Sequence, residues 1–374
     1  MIGYQTSDDL VAAVDRTDAQ LRTLGYAPGG RPLVVVETGG ERTPAVLVTA
    51  GAHATEHAGV CAAVELIDSV ETDHQLCIVP TRDPVGLDGF DAALALGYNH
   101  TDTTTTVEQA RSAVAAAGEI IHEDEWLTVG LIGDYGYAIT RDRPCGSGSV
   151  LQTLKQYTET QPDVLSQLAG RRVFTTTGAN DIDGARPFER TYTLIIDPAG
   201  RPMHLNRFFT DQWAPVETRC IRALMAMIEP GLTIDNHETT GHGNRFHVSL
   251  RPQRTPEGDH DEADLGRIIV DTVAARGTPI ATDADVLDEP TTTVAHATVD
   301  ERPTDGFFRK SSRGAYWVDP HKTDPPRLGE GLNATDVAAD QYGLAFTLET
   351  GMYGTLEQRM GDAVAAIQAA IDAF

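Results

Sequence analysis

The sequence predicts an α/β protein with a twisted, mixed, largely parallel sheet that is flanked by helices and carries long insertions. Between residues 7 and 80, short apolar runs alternate with segments of helical periodicity, which is typical of strand-helix-strand units. The chain also has 374 residues, 41% of them hydrophobic, enough to bury a sizeable core. We therefore expect one α/β domain over residues 1–374.

The amino-terminal elements follow from these patterns. Acidic residues at its start predict a helix over about 7–24, because they favour the positive end of a helix. Apolar runs on either side of a glycine turn predict strands over 32–37 and 45–50. Apolar periodicity predicts a helix over 56–70, and a strand over 76–80 follows it.

The remaining chain is less regular in its pattern. Residues 88–200 are rich in threonine, glycine and polar residues, with a predicted helix over 107–117, and we expect an insertion that forms a lid. A proline at the start and Pro-Gly at the end predict a helix over 215–228. Residues 251–343 are expected to be loop-rich, and apolar periodicity predicts a closing amphipathic helix over 355–374.

The charge of the chain is extreme. It has 55 acidic and 29 basic residues, a net charge of -26. Such acidity argues against binding nucleic acid, whose affinity for proteins depends on basic residues. The apolar content argues against disorder, and concentrated salt would screen the self-repulsion of this charge. We therefore expect a protein adapted to high salt, from a halophilic archaeon.

The cysteines predict no disulfide framework. Cys61, Cys77 and Cys220 lie in apolar segments, Cys145 lies in a turn, and no pair has the C-x-x-C spacing. The amino terminus lacks the pattern of a secretion signal, and no apolar run is long enough to cross a membrane. We therefore expect a cytoplasmic protein without a membrane partner.

Two apolar strand-like runs end in residues that bind metals. Gly51 ends the first run, and His53 and Glu56 follow it; the second run, 232–236, ends at His237. α/β proteins bind ligands outside the carboxyl ends of their strands. Imidazole nitrogen and carboxylate oxygen are common ligands of Zn²⁺, and two histidines with one carboxylate leave a position open for water.

Two further motifs complete a recognisable order. Asn206 and Arg207 lie in the segment 203–209, which reads Met-His-Leu-Asn-Arg-Phe-Phe, and Glu349 ends the apolar run 344–348. With His-x-x-Glu and the later strand-end histidine, the chain resembles the zinc carboxypeptidase family (the M14 peptidases), including its aspartoacylase and succinylglutamate desuccinylase relatives. The resemblance spans residues 53–349 and implies a zinc carboxypeptidase-like fold.

The resemblance implies a role for each of these residues. His53, Glu56 and His237 would hold one Zn²⁺ per chain, and Glu349 would be the general base. Asn206 and Arg207 would bind a carboxylate of the substrate, because the planar guanidinium of Arg207 suits bidentate capture. Arg207 would also be a catalytic residue. A second arginine, Arg186 or Arg190, would polarise the carbonyl of the substrate. Zinc would lower the pKa of water and polarise that carbonyl.

The chain departs from the family pattern at two places, and one further residue of that pattern has no single counterpart. His204 stands where the family has an aspartate that hydrogen-bonds a zinc-ligating histidine, and Asp235 or another acid is the candidate replacement. The loop 83–86 reads Asp-Pro-Val-Gly instead of Asn-Pro-Asp-Gly. The tyrosine expected to face the substrate has three candidates, which are Tyr316, Tyr342 and Tyr353.

An alternative interpretation uses His53 to His57 as an inverted H-x-x-E-H motif, with both histidines on the metal and Glu56 as the base. That motif belongs on a helix, whereas His53 directly follows a predicted strand. It also leaves Asn206, Arg207, His237 and Glu349 without roles. We therefore expect His57 to lie on the face of a helix.

The sequence thus predicts a zinc-dependent hydrolase that cleaves an amide bond next to a free carboxylate. Removal of the carboxy-terminal residue of a peptide is the first interpretation. Deacylation of an N-acyl amino acid is the second, and metal binding without catalysis is the third. The ligand types alone leave Mn²⁺, Co²⁺ or Fe²⁺ open in place of zinc.

Overall fold

The computed structural model describes residues 4, 6–15, 17, 19–141, 147–177, 188–239, 241–287, 293–294, 297–298, 308–318, 331–352 and 354–374. Cys145, Arg186 and Tyr353, for which the sequence carried predictions, lie outside these residues.

The described residues form seventeen strands, which are β1 (Gln20–Ala27), β2 (Arg31–Gly39), β3 (Arg42–Ala50), β4 (His74–Val79), β5 (Glu119–Glu123), β6 (Leu127–Ile132), β7 (Tyr135–Thr140), β8 (Arg172–Thr177), β9 (Tyr192–Ile196), β10 (Pro202–His204), β11 (Leu232–Thr239), β12 (His247–Leu250), β13 (Thr293–Val294), β14 (Ala297–Thr298), β15 (Phe308–Ser312), β16 (Ala315–Val318) and β17 (Leu344–Gly351). They also form twelve α-helices, which are α1 (Ser7–Val14), α2 (His57–Ser69), α3 (Pro84–Leu87), α4 (Gly89–Gly97), α5 (Val107–Ala117), α6 (Ser147–Thr160), α7 (Pro162–Leu168), α8 (Val216–Ile228), α9 (Pro256–Ala275), α10 (Asp283–Val286), α11 (Ala334–Gln341) and α12 (Leu356–Ala373).

The larger sheet has nine strands in the order β1-β2-β4-β3-β11-β17-β12-β16-β15. Its centre, β4-β3-β11-β17, is parallel throughout. Of the other neighbouring pairs, β12 and β16 are parallel and the rest are antiparallel. The predicted mixed α/β sheet is confirmed, with its parallel part at the centre.

Helices cover both faces of this sheet. On one face, α1, α2, α9 and α12 pack over residues such as Val48, Ile234 and Leu348. On the other face, α8 and α11 pack over Leu47 and Ala345. Because the central strands are buried on both sides, their sequences are nearly continuous apolar runs. This is why the strands 32–37, 45–50 and 76–80 were recognisable.

The predicted helix over 7–24 is wrong beyond Val14. Helix α1 ends there, and the following residues form β1, which pairs antiparallel with β2. Thr6 caps the helix, because its hydroxyl accepts a hydrogen bond from the Asp9 amide at 3.1 Å. The acidic first turn was therefore identified correctly. The backbone pairing of the sheet edge determines the structure of the next residues more than local helix propensity does.

Residues 88–200 are more regular than the sequence suggested. Helix α5 has the predicted bounds and begins with a capping box formed by Thr106 and Gln109. Strands from this region, together with β10, make a second sheet in the order β10-β9-β8-β7-β6-β5. It has its own core, which includes Leu127, Val173 and Leu194. Several of the threonines that suggested loops, such as Thr128, Thr140 and Thr175, instead lie in these strands.

The loop-rich expectation for 251–343 is also wrong for part of that segment. Helix α9 has 20 residues and is capped by the Thr255 hydroxyl, with Pro256 in its first turn. It buries Leu265, Ile269 and Val273 at helical spacing, a pattern that was present in the sequence.

The other helices stand where they were expected, as α2, α8 and α12. Cys61, Cys77 and Cys220 form no disulfide. Within the described part of the chain, no helix combines the length and apolar character that crossing a membrane requires.

Candidate metal centre

The ends of two neighbouring parallel strands bring the candidate ligands together. Strand β3 ends at Ala50, and Gly51 follows with a φ of 58°. A Cβ at Gly51 would meet a side-chain atom of Val60 at 2.9 Å, so the chain turns sharply where only glycine fits. His53 lies just after this turn, Glu56 is the N-cap residue of α2, and His237 lies near the end of β11, beside β3.

The three side chains converge on the carboxylate of Glu56. Its Oε1 lies 2.6 Å from His53 Nδ1, and its Oε2 lies 2.8 Å from His237 Nδ1. All three residues are buried, and their ligand atoms lie within 4.8 Å of one another. In the part of the chain that the structure describes, no other group of three or more His, Cys, Asp and Glu residues has this arrangement. The donor types and their convergence fit a divalent metal with three protein ligands.

Each histidine has a partner on its other ring nitrogen. His53 Nε2 lies 2.8 Å from His204 Nδ1, and His237 Nε2 lies 3.0 Å from Asp235 Oδ2. Such partners fix the ring orientation and the tautomer of a metal ligand. His204 therefore contacts His53 where the family has aspartate, whereas Asp235, the candidate replacement, supports the other histidine.

Arg82 joins this network and was missed in the sequence. Its guanidinium donates to both oxygens of Asp235, at 2.8 and 2.7 Å, and to Asn206 Oδ1 at 3.1 Å. The Thr49 hydroxyl donates to Asp235 at 2.7 Å. Arg82 follows β4, so its place just past a buried strand of the same sheet was the available signal. This buried pair keeps Asp235 ionised beside His237.

The second sheet also contacts the candidate centre. The ring of Tyr192, at the start of β9, stacks on His53 with a centroid distance of 4.7 Å and an interplanar angle of 22°. His204 ends β10 of the same sheet. The second sheet thus supplies two side chains that contact His53, and one of them, Tyr192, lies in the segment 88–200 that was predicted to be an insertion.

The pKa values of the two histidines are shifted in opposite directions. Burial lowers the pKa of His53, although Glu56 opposes it. Burial would also lower the pKa of His237, but the adjacent Asp235 and Glu56 carboxylates outweigh burial and raise it. Burial would raise the pKa of Glu56, but the two histidines outweigh it and lower the pKa to about 2. Glu56 is therefore ionised at any pH near neutrality, as a metal-binding carboxylate must be.

Glu349 lies on the strand next to His237. In the parallel register of β11 and β17, these two residues are direct partners, so their side chains leave the sheet on the same face. Among the described residues its carboxylate has no hydrogen-bond partner. Burial raises its pKa to about 7, which suits a group that exchanges protons near neutral pH.

The predicted substrate-binding residues have different surroundings. Asn206 is buried, and its Nδ2 donates to Asp235 at 3.0 Å and lies 3.1 Å from His237 Nε2. Arg207 is partly exposed, donates to the Asn206 carbonyl at 2.9 Å, and its charge helps to lower the pKa of His53. Arg190 donates to the Tyr4 carbonyl at 2.5 Å. Arg207 is therefore the arginine whose charge acts on the candidate ligands.

His57 lies apart from the group of three. It is the first residue of α2, is buried, and has its Nε2 3.4 Å from Arg190 Nη2. Burial and then the Arg190 charge lower its pKa to about 3.

Two of the three candidate tyrosines, Tyr316 and Tyr342, lie among the described residues. Tyr316 is fully buried and its hydroxyl donates to the Ala281 carbonyl at 3.3 Å. Tyr342 precedes β17, at the opposite end of that strand from Glu349.

Comparison of the sequence with protein-family models and with curated proteins finds no match. Among solved structures, the chain is similar to a candidate metallopeptidase from Shewanella denitrificans OS217, with 11% identity over 98% of this chain and 90% of the other and a TM-score of 0.49. It is similar to a metallo-carboxypeptidase from Burkholderia cenocepacia, with 12% identity over 97% and 67% and a TM-score of 0.45. It is also similar to bovine thrombin-activatable fibrinolysis inhibitor, solved with tick carboxypeptidase inhibitor, with 10% identity over 99% and 96% and a TM-score of 0.46. Likenesses this distant do not place the chain in a family.

Proposed function

We propose that this protein is a zinc-dependent hydrolase that cleaves an amide bond next to a free carboxylate, acting as a carboxypeptidase on peptides. The supporting observation is the convergence of His53, Glu56 and His237 beside Glu349, a carboxylate with a pKa of about 7 and no hydrogen-bond partner among the described residues.

The three ligands suit a catalytic ion better than a structural one. Structural zinc is usually held by four protein ligands, whereas three leave a position for water or substrate. The residues that would hold it are His53 through Nδ1, His237 through Nδ1 and Glu56 through its carboxylate. When bound, zinc lowers the pKa of water and polarises the scissile carbonyl. His204 and Asp235 would keep both imidazoles in the required orientation.

Glu349 is the proposed general base. Its unpartnered carboxylate would take a proton from the attacking water and deliver it to the leaving amine. The neighbouring strand carries His237 at the same register position, so the base and one ligand hold a fixed separation through the backbone hydrogen bonds of the sheet. A base with a pKa near neutrality can accept and then release the proton without a large energetic cost.

Arg207 is the proposed anchor of the substrate carboxylate. Its guanidinium is partly exposed, and its charge adds to burial in lowering the pKa of both His53 and His204, so a carboxylate bound there would lie near the candidate metal. We propose that Asn206 contributes by holding the Arg207 guanidinium through its carbonyl. A substrate with a carboxylate next to the cleaved amide would satisfy this arrangement.

One observation favours a second candidate function, the deacylation of a small N-acyl amino acid. His53, Glu56 and His237 are only 8%, 7% and 3% exposed, and the second sheet packs on them through Tyr192 and His204. A closely covered site admits small substrates more readily than peptides.

Turnover of a hippuryl dipeptide and of N-acetylaspartate by zinc-supplied protein, in concentrated KCl, distinguishes the two functions. We expect the dipeptide to be cleaved faster, and cleavage of N-acetylaspartate alone would favour deacylation. The Glu349→Gln variant provides the background rate. If neither substrate is cleaved above that background, the proposed reaction is contradicted.

A further inference from the structure

A buried carboxylate lies behind the candidate metal centre, on the opposite face of the sheet. Glu238 follows His237 in β11, and successive residues of a strand face opposite sides. It is 4% exposed. Its Oε2 accepts a hydrogen bond from the Ala58 amide at 2.7 Å, and its Oε1 accepts one from Arg359 Nη1 at 2.5 Å. Glu238 therefore joins the strand of one candidate ligand to helices α2 and α12.

The contact with Ala58 replaces a missing helix cap. Glu56 is the N-cap residue of α2, but its side chain makes no capping hydrogen bond, because both of its oxygens face the histidines. The first amides of a helix have no partner within the helix. Glu238 accepts one of them and places its negative charge at the positive end of α2.

We infer that Glu238, held by Arg359, is a positioning residue that caps α2 in place of Glu56 and thereby fixes Glu56 against His237. The inference rests on the metal centre proposed above. Glu238 is one residue from His237, and Ala58 is two residues from Glu56. The bond between Glu238 and Ala58 therefore sets how closely two ligand-bearing segments approach.

Arg359 makes this arrangement possible. It lies on α12 and is 3% exposed, so it supplies the charge that a buried carboxylate requires. The ion pair of Arg359 with Glu238 thus joins the closing helix of the chain to the strand that carries His237.

The test compares two glutamate–arginine pairs in which the glutamate is buried. Glu217 on α8 is 1% exposed, and its Oε2 accepts a hydrogen bond from Arg172 Nη2 at 2.9 Å, so Glu217→Gln is a matched control for Glu238→Gln. The dissociation constant for zinc is measured by competition with a chromophoric chelator, and the melting temperature is measured without metal. Both variants should melt earlier than wild type, but only Glu238→Gln should also bind zinc about 10- to 100-fold more weakly.

Each other outcome is decisive. Unchanged zinc affinity in Glu238→Gln, or an equal loss in the control, overturns the positioning role. If Glu238→Gln does not fold, Arg359→Lys is compared with Arg172→Lys; the first should weaken zinc binding several-fold, and equal affinities overturn the role. Absence of zinc binding by the wild type instead contradicts the metal centre itself.

Discussion

Two regions contribute to the candidate centre in different ways: the carboxyl ends of the parallel strands in the nine-stranded sheet, and the second sheet. The first region places His237 and Glu349 near the ends of their strands, and His53 and Glu56 in the segment that follows β3. The second region places Tyr192, which stacks on His53, and His204. Ligands at the ends of parallel strands follow from local sequence, because those strands all end at one edge. The side chains that orient them come from elsewhere and depend on tertiary packing.

The largest expected effect on activity comes from the carboxyl ends of the parallel strands. Glu349→Gln removes the general base and should lower kcat by about 10²- to 10⁴-fold, the usual contribution of general acid-base catalysis. Zinc content should stay as in the wild type, because Glu349 is not a proposed ligand. The exposed Glu357→Gln, on α12, is the control and should change neither quantity. Activity retained in Glu349→Gln would contradict its role as the base.

The next effect tests the second sheet. His204→Ala removes the partner of His53 Nε2 and should weaken zinc binding about 10- to 100-fold, as loss of such a partner usually does. His122→Ala, on β5 of the same sheet, removes the hydrogen bond to the Tyr157 hydroxyl and should leave zinc affinity unchanged. Equal affinities in the two variants would show that the second sheet does not hold the metal ligand.

The acid limb of the pH dependence of kcat/KM should arise from Glu349, in the first of these regions. Burial raises the pKa of Glu349 to about 7, and the base acts only when it has lost its proton. The ratio kcat/KM should therefore rise with pH, by about tenfold per unit below the pKa, and level off at or below about 7, since a bound cation lowers the pKa of a nearby carboxyl. The residual activity of Glu349→Gln should lack this acid limb, and its persistence would assign the limb to another group.

The smallest expected effect concerns Tyr192. Stacked rings contribute about 0.5–1.5 kcal/mol beyond their burial, so Tyr192→Leu should weaken zinc binding by about twofold to tenfold. Tyr192→Phe keeps the stacked ring and should bind zinc as the wild type does. If both substitutions give the same dissociation constant, the stacking does not orient His53.

The sequence predicted features whose cause is local. Buried parallel strands are apolar throughout, and α5 carries its cap and its periodicity in adjacent residues. Helix α9 also carries a cap and helical periodicity in its own sequence, so the prediction of loops there was a misinterpretation of a local pattern. Residues 20–27 could not be assigned in the same way, because β1 is stabilised by pairing with β2. Local sequence does not encode that pairing.

The candidate centre likewise contains residues that local sequence predicts and contacts that it does not. The His-x-x-Glu spacing marks His53 and Glu56, because a short turn joins them. The contacts of His204 with His53, and of Glu238 with Ala58, join residues 151 and 180 positions apart. No pattern within a segment predicts such contacts, since they arise only when two sheets or a strand and a helix pack together.

The most direct test is elemental analysis of bound metal in protein purified at high salt without chelator, for the wild type, His237→Ala and His57→Ala. We expect about one zinc per chain in the wild type, since three protein ligands make a single site. The same content is expected in His57→Ala, and little or none in His237→Ala. Zinc that is kept by His237→Ala but lost from His57→Ala would contradict the centre formed by His53, Glu56 and His237.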